Sequence, residues 1–109
     1  MKTTLVSVAF AIAALAALPA AAADVAARAA KAKEVCAACH GLDGNSAQPD
    51  YPKLGGQHAD YLAKALRDYK SGARKNAIMA GFAAALSQRD IENLAAYYGQ
   101  QPRVLSSKY

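Results

Sequence analysis

Cys36-Ala37-Ala38-Cys39-His40, a C-x-x-C-H run, constrains this chain more than any other stretch. Placed on one helical turn, residues 36, 39 and 40 stand in the i, i+3, i+4 relation and share a face. Two thiols and an imidazole then point the same way. This is the arrangement for covalent attachment of a c-type haem: each thiol adds across a vinyl group at one porphyrin edge, and the imidazole reaches the iron from the same side. Other readings account for less. A redox dithiol expects a βαβ setting, and no strand-like run follows the first residues. A zinc site needs four ligands, and His40 and His58 lack the paired H-x(3–5)-H spacing. A structural disulfide suits an oxidising compartment but leaves His40 without a role.

Covalent haem attachment fits an exported protein, and the N-terminus reads as an export signal. Met1-Lys2-Thr3-Thr4 forms a short positive region, Leu5 to Leu18 an apolar one, and Ala21-Ala22-Ala23 supplies small residues before Asp24. A cleaved signal peptide is expected over 1–23, with one domain over 24–109 and a periplasmic location. The alternative is an uncleaved anchor. The apolar run is short and Ala-rich for a membrane span, and no second one follows, so no stable span is expected after cleavage. Both cysteines of the 109-residue chain lie in the motif, which leaves none for a disulfide framework. A domain of this size has a thin core and commonly leans on a cofactor. The formal charge of +5 for the whole sequence, +4 without Lys2, biases it toward acidic protein surfaces or anionic membrane. No basic stripe interleaved with aromatics appears, and nucleic acid is not an expected partner.

The remaining pattern is helical. Asp24 is a candidate N-cap, with Val25, Ala29, Ala32 and Cys36 forming a small-residue stripe that would let a second helix approach closely. Turn formers fill 41–57, which reads as a loop beside the motif. A second helix is expected from His58 to Ser71, with Tyr61, Leu62, Ala65, Leu66 and Tyr69 on one face and Gly72 just past its end. Residues 73–86 read as a basic turn and a Gly- and Ala-rich loop, with at most a short helical turn before Leu86. Ser87 and Asp90 resemble a capping box opening a last helix, with Ile91, Leu94, Ala95 and Tyr98 on its apolar face. The tail after Pro102 is expected to fray.

The occupant of the sixth iron position decides between electron carriage and binding of small molecules. Once Met1 leaves with the leader, Met79 is the only methionine. Core packing is its ordinary role, but beside a haem motif it is the first candidate ligand. His58 is the rival. A thioether is a weak, soft ligand that favours Fe(II) and raises the reduction potential relative to a second imidazole. The His40 imidazole also needs an acceptor on its other nitrogen, and a carbonyl of the proline loop would serve: Pro52 first, Pro49 second.

C-A-A-C-H-G-L-D-G-N-S, P-K-L-G-G-Q, Y-L, K-S-G-A-R, the methionine that follows, and L-S-Q-R-D-I-E-N-L-A-A-Y-Y together resemble the class I cytochromes c of the c4, c-553 and c-554 group, over about residues 34 to 99. The resemblance implies a small all-α cytochrome c fold, with crossing N- and C-terminal helices around one covalent haem c. It implies thioether positions at Cys36 and Cys39, iron ligands at His40 and Met79, a proline-loop acceptor at Pro52 and a haem propionate partner at Arg74. Cytochromes c4 are tandems of two such domains, whereas this chain has a single C-x-x-C-H and looks like a monohaem relative, a monomer or weak homodimer. The expected function is a one-electron shuttle between a donor complex and a terminal oxidase or reductase, and not an enzyme. Phe82 would centre its docking patch, with Lys53, Lys70, Arg74 and Lys75 at the rim. The alternatives are a haem enzyme or gas-binding sensor with a displaceable sixth ligand, and a haem subunit of a larger oxidoreductase complex.

Overall fold

Alanine-rich sequence and three well-placed caps set the helices of this chain, which a computed structural model describes over residues 20–104. The elements are α1 (Ala20–Val35), α2 (Ala37–His40), α3 (Ala59–Ser71), α4 (Ala77–Ala84) and α5 (Gln88–Gly99), and no strand occurs among the described residues. Most of the expected leader lies outside the described residues. None of the described helices is long and apolar enough to cross a membrane.

α1 packs on α5. Ala32 is fully buried, and its small side chain lets the Ile91, Leu94 and Ala95 face of α5 come close. Arg28 Nε donates to Asn93 Oδ1 at 3.3 Å, and Lys31 Nζ lies 3.9 Å from Asp90 Oδ1. Two expectations for this helix are corrected. Asp24 is not its N-cap, because Ala20 to Ala23, the strongest helix formers, carry the helix one turn further back. Val25 is exposed, so the stripe is half-buried from Ala29 and fully buried only at Ala32.

α5 follows its sequence pattern. Ser87 Oγ accepts from the Asp90 amide at 3.0 Å, while Asp90 Oδ2 accepts from the Ser87 amide at 2.9 Å, a reciprocal capping box. The backbone bond from Ser87, followed by its hydroxyl, holds the Asp90 carboxyl below its usual range. Ile91, Leu94, Ala95 and Tyr98 are buried together with Leu62, Ala63 and Leu86. α3 packs on both α5 and α4. It ends at Gly72, whose φ of 84° is the left-handed conformation that a C-terminal glycine adopts without strain.

The stretch read as a loop around Met79 is an eight-residue helix, α4. Asn76 is its N-cap, and alanines fill half of its length. The single Gly81 costs roughly 1 kcal/mol relative to alanine, too little to break a capped helix held against α3. The tail expected to fray is also ordered through Val104. Asn45 Nδ2 donates to Pro102 O at 2.9 Å, Asn45 Oδ1 accepts from the Val104 amide at 3.1 Å, and Arg103 Nη2 donates to Gly56 O at 2.9 Å. These bonds span more than 45 residues of sequence, so no local pattern announces them.

Candidate cofactor site

The C-x-x-C-H run forms the one-turn helix α2, with Cys36 at its N-cap. The Cys39 and His40 amides both donate to Cys36 O, at 3.3 and 3.0 Å, and Gly41 ends the turn at a φ of 82°. Cys36, Cys39 and His40 consequently line one cavity. Its volume is about 280 Å³, whereas close-packed interiors hold few voids larger than a water molecule, so this is a formed site. The α3 face read from sequence (Tyr61, Leu62, Ala65, Leu66 and Tyr69) forms a second wall, and Met79 and Phe82 of α4 contribute to a third.

His40 is 7 % exposed, and its Nδ1 lies 2.8 Å from Pro52 O. A carbonyl can only accept, so Nδ1 carries the proton and Nε2 keeps its lone pair for a metal. The Tyr51 ring stands edge-on to the imidazole, 6.4 Å between centroids. Pro52 is held in place because the next turn is anchored: Leu54 N and Gly55 N both donate to Gly44 O, at 2.7 and 3.0 Å. Pro49 is exposed and does not line the cavity.

Both cysteines are free thiols. Burial pushes the Cys36 thiol up to about 11, with the neighbouring Cys39 adding to the rise and the Tyr98 hydroxyl opposing it. Tyr98 itself is buried, which raises its phenol well above the ordinary value. Its hydroxyl donates to Gly41 O at 3.1 Å, so α5 grips the residue that ends the motif.

Met79 lies in the first turn of α4, half-buried, and lines the cavity. Its amide donates to Asn76 Oδ1 at 2.9 Å. His58 sits at the N-cap of α3, exposed and outside the cavity lining. Arg74 is at the rim: its guanidinium lies over the Tyr69 ring at 4.8 Å and 3.5 Å from the Tyr61 hydroxyl. The structure therefore gathers Cys36, Cys39, His40, Pro52, Arg74 and Met79 around one cavity, and leaves His58 and Pro49 out. Sequence reasoning missed Asn76. An Asn three residues before Met79, at the head of an alanine-rich run, was the signal for an N-cap.

The donor set fits a c-type haem: two thiols one turn apart, an imidazole with Nε2 available, a thioether on another wall, and apolar side chains for the macrocycle.

The sequence matches the cytochrome c family model over residues 25–100. It is 48 % identical over 67 residues to cytochrome c4 of Pseudomonas aeruginosa, covering 62 % of this chain and 33 % of that protein. It is 46 % identical over 70 residues to cytochrome c-554(548) of Halomonas halodenitrificans, covering 62 % of this chain and 84 % of that protein. The chain thus spans about a third of the length of the cytochrome c4 relative and most of the shorter one. Among solved structures, reduced recombinant cytochrome c4 from Pseudomonas stutzeri superposes with a TM-score of 0.64 at 37 % identity, covering 72 % of this chain and 48 % of that one.

Proposed function

Given that the chain belongs to the cytochrome c family and binds haem c covalently, we propose that it is a one-electron carrier, with Cys36 and Cys39 as the thioether positions and His40 and Met79 as the residues that would ligate the iron. The observation that carries this reading is that His40, its Nδ1 committed to Pro52 O, and Met79 line the same cavity from different helices. Bound there, the haem supplies one-electron Fe(III)/Fe(II) chemistry. Pro52 fixes the tautomer and orientation of His40. Met79 would offer the iron a weak, soft donor, which would raise the potential and compete with oxygen or peroxide. The apolar wall of α3 would exclude water, and Arg74, at the rim, would take a propionate carboxylate. The working unit is 24–109 after removal of the leader, exported to the periplasm.

An optical redox titration of the holoprotein is expected to give a single one-electron Nernst curve, and the reduced protein is expected not to bind carbon monoxide. Ready carbon monoxide binding would overturn the carrier reading in favour of a gas-binding or catalytic haem.

The partners proposed are redox proteins with acidic docking faces. Ile78 and Phe82, one turn apart on α4, are 65 % and 48 % exposed at the cavity mouth, with Arg74 and Lys75 in the preceding turn. An apolar centre with a basic rim is steered by charge more than it is bound by it. Because the Debye length shrinks from about 30 Å at 0.01 M salt to about 8 Å at 0.15 M, the on-rate is expected to fall by about tenfold over that range. Stopped-flow electron transfer at several ionic strengths measures it, and a flat profile would remove the rim charges from docking.

A further inference from the structure

We infer that Asn76 is a positioning residue for the iron ligand: its carboxamide caps α4 on the amide of Met79 itself and so holds the thioether at the cavity. The inference rests on Met79 as the sixth ligand. Asn76 leaves the preceding turn with extended backbone, φ −161° and ψ 116°, and enters the helix directly. Its side-chain Oδ1 accepts from the Met79 amide at 2.9 Å, and its main-chain carbonyl accepts from the Ala80 amide at 2.9 Å. One residue thus fixes two consecutive peptide groups, those on either side of the methionine side chain.

The position of Met79 makes this cap matter. It is the third residue of an eight-residue helix, inside the first turn, where the amides have no intrahelical partner and fraying begins. An uncapped first turn unwinds without unfolding the rest of the domain, and here the unwound segment would carry the ligand. The far end of α4 is tied separately, since Lys70 Nζ donates to Leu86 O, and Ala83 is buried. Loss of the cap therefore loosens the turn that bears Met79 while the C-terminal end stays seated. No side chain other than Asn76 hydrogen-bonds the α4 first-turn amides among the described residues.

The experiment is imidazole binding to the ferric holoprotein, in which imidazole competes with the Met79 thioether and is read by the optical spectrum. Asn76→Ala removes the carboxamide, Asn76→Gln keeps it one methylene out of place, and Asn76→Asp retains an acceptor at capping distance. Ser87→Ala removes a comparable cap from α5, remote from the ligand. Imidazole is expected to bind roughly fivefold tighter to Asn76→Ala and Asn76→Gln, the conversion of about 1 kcal/mol for a lost N-cap. Asn76→Asp should restore the parent affinity, and Ser87→Ala should leave it unchanged. Parent affinity in Asn76→Ala, or an equal gain in Ser87→Ala, would overturn the positioning role. The Met79→His spectrum separates the premise from the inference: if it is unchanged from the parent, the ligand assignment falls and the inference with it, whereas a changed spectrum with unaltered imidazole binding in the Asn76 variants removes only the inference.

Discussion

Met79→His is expected to lower the reduction potential of the holoprotein by on the order of 0.2 V, within the roughly 0.8 V range over which axial ligands set haem potentials. A second imidazole is a stronger donor than a thioether and stabilises Fe(III) relative to Fe(II), so reduction becomes less favourable. The visible spectrum should change with it, because the Met-to-ferric-iron absorption disappears. Met79→Ala should act differently by opening the sixth position, and the reduced variant should then bind carbon monoxide. An optical redox titration of parent and variants measures all of this. A Met79→His protein with the parent's spectrum and potential would exclude Met79 from the iron.

The second large effect is structural. Gly44→Ala is expected to destabilise the holoprotein by about 3 kcal/mol, from two costs at one residue. Gly44 has a φ of 72°, which costs an L-residue roughly 1–2 kcal/mol. A Cβ there would also stand 2.5 Å from Gly55 N and 2.7 Å from Tyr98 Cδ1. One obstacle is backbone and the other a buried ring, so neither yields cheaply, and overpacking typically adds 1–3 kcal/mol. Against a typical total of about 5–15 kcal/mol, that is a large loss. Gly72→Ala is the control: its φ is 84°, yet a Cβ there meets nothing within 4 Å, so only the conformational cost of roughly 1–2 kcal/mol is expected. Denaturant unfolding followed by helix content compares the two. Equal losses would show that the Gly55 and Tyr98 contacts relax around the new methyl group. Because Gly44 O also anchors Leu54 and Gly55, two and three residues beyond Pro52, the Gly44 variant should disturb the haem spectrum as well, and the Gly72 variant should not.

The parts of the site that the sequence conveyed are those decided within a turn or two. The spacing of Cys36, Cys39 and His40 places three donors on one face wherever a helical turn forms, and α2 forms it. The apolar face of α5 and its Ser87–Asp90 box are likewise local. The reading of α4 went astray over a local signal. Gly81 and the run of alanines suggested a loop, but Asn76 supplies the cap that nucleates a helix through Met79.

The sequence by itself determined the chemistry: which donors exist, that two thiols and an imidazole lie one turn apart, and that Met79 is the only methionine besides Met1. Only the tertiary structure decided how those donors are aimed. His40 receives its tautomer from a carbonyl twelve residues away, the end of its turn is gripped by Tyr98 from the last helix, and the tail is strapped to the motif loop through Asn45. Those bonds depend on which segments the packed core brings together. Residue spacing along the chain encodes direction within a turn, but contacts between distant segments exist only once Ile91, Leu94 and their neighbours have buried the α1, α3 and α5 faces against one another.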